Sequence, residues 1–244
     1  MKGSDLERFE ISRSALVHNI REFRRVIGPR RKFLAVVKAN AYGHGMLEVA
    51  WIALRNGVDW LGVNSVEEGA ALRDAGFRCP VLVLGYTPLA ALDEAVARDL
   101  RLTVYNRETV RRLAAAARRQ AKRAVVHVKV ETGTRRQGVE VKDVGSFVRA
   151  VRGRPELVLE GLSSHFANIE DTTKHEYPQR QLEAFLAACR TLEAQGLRVP
   201  VKHMSCTAST ILFPETDFSM ARVGIGLYGH WPSKETYLSC LQKK

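Results

Sequence analysis

Eight short apolar runs recur along the chain, at residues 33–39 (FLAVVKA), 60–65 (WLGVNS), 80–86 (PVLVLGY), 100–106 (LRLTVYN), 124–132 (AVVHVKVET), 157–167 (LVLEGLSSHFA), 199–205 (VPVKHMS) and 218–224 (FSMARVG). Runs that are nearly continuously apolar suit strands buried on both faces. Between them lie stretches with apolar residues three and four apart, such as GMLEVAWIALRNG, SVEEGAALRDAG, PLAALDEAVARDL and RETVRRLAAAARRQ. Two of these close on glycine, where a helix C-cap falls. Strands that alternate with amphipathic helices build a parallel sheet covered by helices, and eight such units within about 200 residues predict an α/β fold, a closed (β/α)8 TIM-type barrel. An open doubly wound sheet is the alternative, and the eightfold count argues against it. The expected layout is an N-terminal extension over residues 1–10, the barrel over 11–230, and a terminal stub over 231–244.

Composition narrows the function classes. The 38 basic and 26 acidic residues give a net charge of +12, which raises the question of nucleic acid. Most of the excess sits in REFRRVIGPRRK, RRLAAAARRQAKR and VRAVRGRP, which read as solvated faces of separate helices with few interleaved aromatics to stack on bases. No nucleic-acid partner is expected. No apolar run approaches the ~20 residues that span a bilayer, and the opening MKGSDLERFEIS carries charge where a signal peptide is apolar. The expectation is a soluble, cytoplasmic protein without a membrane partner. Cys79, Cys189, Cys206 and Cys240 are scattered, which suggests neither a metal cage nor a disulfide framework.

In such a barrel the C-terminal ends of the strands form the active mouth. The residues there are Lys38, Asn40 and Tyr42 after the first strand, Arg136 after the fifth, His165 on the sixth, Ser205 to Ser209 after the seventh, and Arg222 to Tyr228 around the eighth. A lysine ending an apolar strand is desolvated, which favours the neutral amine that attacks a carbonyl carbon. The plain alternative is a lysine that snorkels outward. The small residues and glycines of ANAYGHG favour a site, because they let the chain turn sharply and approach a ligand closely. RVGIGLYG, residues 222–229, contains a formal G-x-G-x-x-G, but it stands near the end of the sequence and not after a first strand, so a dinucleotide fold is rejected. Its glycines still expose backbone N–H groups to an anion, and Ser205, Thr207 and Ser209 add hydroxyls. An amine opposite a phosphate pocket points to pyridoxal 5′-phosphate. Arg222 then lies within reach of the pyridine nitrogen, and an arginine can only donate, so a nitrogen bonded to it stays unprotonated.

These residues match a known pattern. AVVKANAYGHG, residues 35–45, resembles the pyridoxal-phosphate signature of alanine racemases, and ISRSALVHNI, EEGAALRDAG, KVETGTRRQGV, SSHFANIED, HMSCTAS and RVGIGLYG follow in the family's order across residues 11–229. The resemblance implies a barrel followed by a β-rich C-terminal domain, and a cytoplasmic, homodimeric isomerase that interconverts L- and D-alanine to supply D-alanine for peptidoglycan. It implies that Lys38 holds the cofactor through a Schiff base and serves as acid and base on the face that handles the D-isomer. Tyr42, Thr207, Gly224 and Ile225 are implied to hold the phosphate, and Arg222 the pyridine nitrogen. His165 is implied to lie beside the ring and bond Arg222, while Arg136 assists the phenolic oxygen and the substrate carboxylate. Lys129 matches a lysine that some members carry carbamylated.

Thr207 stands where the family usually has serine, Cys206 where it has asparagine, and Thr134 where it has methionine. The tyrosine that acts as the family's second base belongs to the C-terminal domain and has no match here, since Tyr237 lacks the motif around it. The expectation is therefore an alanine racemase or its barrel domain. The alternative is a non-catalytic pyridoxal-phosphate-binding barrel, whose lysine motif KANAYGHG does not resemble.

Overall fold

The computed structural model describes residues 10–171 and 175–242; most of the expected N-terminal extension and the last two residues of the expected stub lie outside them. All eight expected strands form: β1 (Lys32–Val36), β2 (Trp60–Val63), β3 (Val81–Val83), β4 (Arg101–Val104), β5 (Ala124–Glu131), β7 (Leu157–Ser163), β8 (Val201–His203) and β9 (Met220–Val223). A two-residue strand, β6 (Val139–Glu140), was not expected and pairs with the end of β5. The path runs β8-β7-β5-β4-β3-β2-β1-β9 with every ladder parallel. This is the expected barrel, with one seam. Between β8 and β9 the join rests on Ser219, whose N–H donates to Lys202 O at 3.1 Å and whose hydroxyl accepts from Lys202 N at 2.7 Å and donates to Lys202 O at 3.0 Å.

The helices begin where short polar side chains satisfy free N–H groups. Ser12, Ser65 and Asn106 accept from Ala15, Glu68 and Thr109 at the starts of helices Arg13–Ile27, Val66–Asp74 and Arg107–Arg119. The last of these buries Val110, Leu113, Ala114 and Ala117 and turns Arg111, Arg112, Arg118 and Arg119 to solvent. The arginine-rich run RRLAAAARR is thus the outer face of a packed helix. Within the expected terminal stub, Lys234–Gln242 is helical, an element the sequence reading did not name. Ser233 accepts from Thr236 N and donates to Glu170 O, and Thr236 is fully buried. The mixed polarity of KETYLSCLQ hid that helix. Among the described residues no helix is long and apolar enough to cross a membrane.

Side chains alternate along each strand, so every second residue points into the barrel. Phe33, Ala35, Leu61, Val63, Val81 and Val83 pack outward under the helices, while Leu34, Val36, Trp60, Leu82, Val201 and Met220 form a separate apolar floor inside.

Candidate active site

Above that floor the inward positions become polar. Lys38 follows Leu34 and Val36, Lys129 follows His127, Ser205 follows His203, and Arg222 follows Met220, each two residues along. They line a cavity of about 540 Å³ at the C-terminal ends of the strands. Tyr42, Arg136, His165, Thr207, Gly224 and Ile225 line the same cavity, while Asn40, Ser209 and Tyr228, also singled out from the sequence, are not among its lining residues.

Lys38 is half-buried and stands at the start of an unusual turn. Ala39, Asn40, Ala41 and Tyr42 all lie in the left-handed region, with φ between 51° and 54°. Consecutive non-glycine residues there cost roughly 1–2 kcal/mol each. Side chains and the following glycine hold the turn in place. Ala39 N donates to Glu68 Oε1 at 2.7 Å, Asn64 N to Glu68 Oε2 at 2.6 Å, and Met46 N to Asn40 Oδ1 at 2.9 Å, while Gly43 N reaches Ala39 O.

Across the cavity, the Thr207 hydroxyl accepts from Gly224 N at 3.3 Å and Gly226 N at 3.2 Å, with Ile225 between them. The glycines are steric requirements. A Cβ at Gly224 would fall 2.8 Å from the Tyr42 hydroxyl, and one at Gly226 would fall 2.5 Å from Thr207 Cγ2 and 2.7 Å from Phe23 Cζ. Tyr42 itself is part-exposed and packs against Tyr228 with the rings tilted and their centroids 5.3 Å apart, and burial raises both phenols. Ser209, expected among the anion donors, takes another role. Its hydroxyl accepts from Cys206 N and donates to Cys206 O, capping helix Thr207–Leu212. Ser205 does line the cavity, and it accepts from Arg222 N at 3.3 Å.

Arg222 is buried and tied down through its terminal nitrogens. Nη2 donates to Ser164 O at 2.9 Å, Met204 O at 3.0 Å and His165 Nδ1 at 3.3 Å, and Nη1 to His203 Nδ1 at 2.5 Å. Burial lowers its pKa to about 10, so it remains cationic at neutral pH. Burial, then the Arg222 charge, holds His165 well below the usual range, and it is neutral. Lys129 is pulled down to about 7 by burial first and then by Arg222 and Arg136. Arg136 is exposed on the loop after β5, where Glu131 accepts from Gly133 N, Thr134 Oγ1 and Arg136 N. Glu131, Glu68 and His203 were not singled out from sequence. For His203 the signal was the period-two face Val201–His203–Ser205, which carries an imidazole inward.

Lys38, Lys129, Arg136 and Arg222 all face this cavity, while Glu170 is the one carboxylate among the described lining residues. A site with that charge surplus, an amine and the Tyr42 and Thr207 hydroxyls suits a small, multiply anionic carbonyl compound. Among the described residues no group of three or more His, Cys, Asp or Glu could hold a metal ion.

A parallel barrel that sets a lysine amine across its mouth from a glycine-lined anion cradle defines a class of lysine-bearing, anion-binding barrels. The family model described as alanine racemase, N-terminal domain, matches residues 11–232, and the chain belongs to that family. It is 38% identical over 225 residues to alanine racemase 1 of Oceanobacillus iheyensis, covering 92% of this chain and 60% of that one. It is 40% identical over 226 residues to the alanine racemase of Methanococcus maripaludis, with 92% and 60% covered. The solved alanine racemase of Clostridium difficile in complex with cycloserine matches with a TM-score of 0.88 at 32% identity, over 91% of this chain and 61% of that one. That of Bacillus anthracis with bound L-Ala-P matches with a TM-score of 0.87 at 31% identity, over 94% and 61%. The chain thus spans about 60% of the length of the curated relatives it matches.

Proposed function

We propose that this chain is the barrel part of a pyridoxal 5′-phosphate-dependent alanine racemase, which interconverts L- and D-alanine and supplies D-alanine for peptidoglycan. The observation that carries the reading is that Lys38, Arg222 and Thr207 share one cavity. The residues fit the group. Gly224 and Gly226, having no Cβ, let the Tyr42 and Thr207 hydroxyls close in at that end of the cavity, where the hydroxyls suit a phosphate, and the cationic Lys38, Arg136 and Arg222 balance a phosphate, a phenolate and a substrate carboxylate.

When bound, pyridoxal phosphate supplies a conjugated, electron-withdrawing system that stabilises negative charge at the substrate's Cα. The protein's own residues do the rest. Lys38 Nζ moves the Cα proton on one face, and Arg136 pairs with the substrate carboxylate. Arg222 can only donate, so a ring nitrogen bonded to it would stay unprotonated, and the group would then supply a shallower electron sink that would favour return of the proton to Cα over transamination. His165, neutral, accepts from Arg222 and orients it. Lys129, whose pKa burial lowers to about 7 so that a substantial share of its amine is uncharged at neutral pH, suits the carbamylated lysine of the family.

Adding pyridoxal phosphate to the purified chain is expected to give a yellow protein whose visible band is absent in Lys38→Ala. A preparation that stays colourless after cofactor addition overturns the reading. Formation of D-alanine from L-alanine by the full-length protein distinguishes a racemase from a cofactor-binding barrel without activity.

A further inference from the structure

The proposed reaction leaves unused a polar chain buried below the cavity. Arg222 Nη1 lies 2.5 Å from His203 Nδ1, His203 Nε2 lies 2.8 Å from His127 Nδ1, and His127 Nε2 lies 3.0 Å from Glu160 Oε2. His127 and His203 are 0% and 1% exposed. At the far end Arg101 donates to Glu160 Oε2 at 2.7 Å, and its guanidinium caps the Trp60 ring at 4.8 Å.

The chemistry of the two ends fixes every proton between them. An arginine only donates, so His203 Nδ1 accepts and its ring proton sits on Nε2. That proton is donated to His127 Nδ1, so the ring proton of His127 also sits on Nε2, where it is donated to the Glu160 carboxylate. All three bonds run from the cavity towards Glu160. A second proton on either imidazole would set two donors face to face, and burial together with the Arg222 charge keeps His203 neutral.

The fold is shaped around this chain. The β5–β7 register shifts between Val126 and His127, which pair with Leu159 and Gly161, so Glu160 is left unpaired in a bulge. A Cβ at Gly161 would lie 2.1 Å from His127 Nδ1 and 2.5 Å from its Cγ. A strand residue has been bulged out and a side chain given up beside one imidazole.

We propose that Glu160, His127 and His203 are positioning residues. They form a one-way chain of hydrogen bonds that anchors Nη1 of Arg222 and ends on the Glu160–Arg101 ion pair, and successive bonds in a dry core polarise one another. The inference deepens the proposed function, in which Arg222 faces the cofactor, but its first test needs no cofactor. In the ¹⁵N-histidine-labelled chain, long-range ¹H–¹⁵N spectra near neutral pH are expected to show both His127 and His203 as the Nε2–H tautomer. Glu160→Gln removes the charge but keeps an acceptor, and is expected to move the ring nitrogens of both histidines, although His203 does not touch Glu160. An Nδ1–H tautomer at either histidine, or a Glu160→Gln response confined to His127, overturns the proposal. Should Glu160→Gln fail to fold, the wild-type tautomers alone decide. With pyridoxal phosphate as probe, Glu160→Gln is expected to bind about tenfold more weakly, the scale of one charge-assisted hydrogen bond. A wild-type chain that shows both tautomers but binds no pyridoxal phosphate would overturn the functional reading and leave the chain of bonds standing.

Discussion

At the residue scale the unusual groups are those whose surroundings oppose their charge. Lys129 binds its proton more weakly in the folded barrel, at about 7, than in an unfolded chain, at 10.5. Between those values the unfolded state holds more protons, so the contribution of Lys129 to stability rises with pH across about 7 to 10.5 and its full penalty is felt below that window. Lys129→Met is expected to flatten the rise, and urea unfolding at pH 6.5 and 9.5 should show a difference on the order of 2–4 kcal/mol between wild type and variant. Gly226 is constrained sterically instead. The threonine at 207, where the family usually has serine, brings a methyl against it, and Phe23 crowds the same point. Gly226→Ala is expected to lose about 1–3 kcal/mol in urea unfolding, only partly restored by Thr207→Ser, since Phe23 remains.

At the element scale, two joints decide whether the site exists. The left-handed run from Ala39 to Tyr42 aims Lys38 into the mouth, and the Glu68 carboxylate clamps both the first amide of that run and the end of β2. Glu68→Ala is expected to cost about 1–3 kcal/mol and to weaken the Lys38-dependent visible band in parallel, whereas Glu68→Gln, which keeps one acceptor oxygen, loses less. The seam between β8 and β9 is the other joint. Ser219→Ala leaves Lys202 N without its hydroxyl acceptor at the point where the barrel closes. A shift of the urea midpoint equivalent to about 1–3 kcal/mol is expected.

At the scale of the whole molecule, a charge of +12 and a cavity lined by Lys38, Arg136 and Arg222 draw small anions inward. Pyridoxal phosphate affinity, followed by fluorescence titration, is expected to fall several-fold as ionic strength rises from about 0.05 to 0.5 M. The 244 residues offer no match to the family's second-base tyrosine, so this polypeptide alone is expected to racemise alanine about 10²–10⁴-fold more slowly than a full-length relative, by the scale of one acid–base group. Much of this was legible in the sequence. The eight apolar runs, Lys38 at the end of the first and the glycines of RVGIGLYG are local patterns, and local patterns set strand period, turn shape and the order of elements whatever lies elsewhere. Only the tertiary structure decided the helix at Lys234–Gln242, the depressed pKa of Lys129, the bulge at Glu160 and the direction of bonds from Arg222 to that carboxylate. Those features depend on burial and on partners far apart in the chain; His127 and His203 stand 76 residues apart. Desolvation and hydrogen-bond direction arise only when the barrel closes and brings such groups within 3 Å of one another.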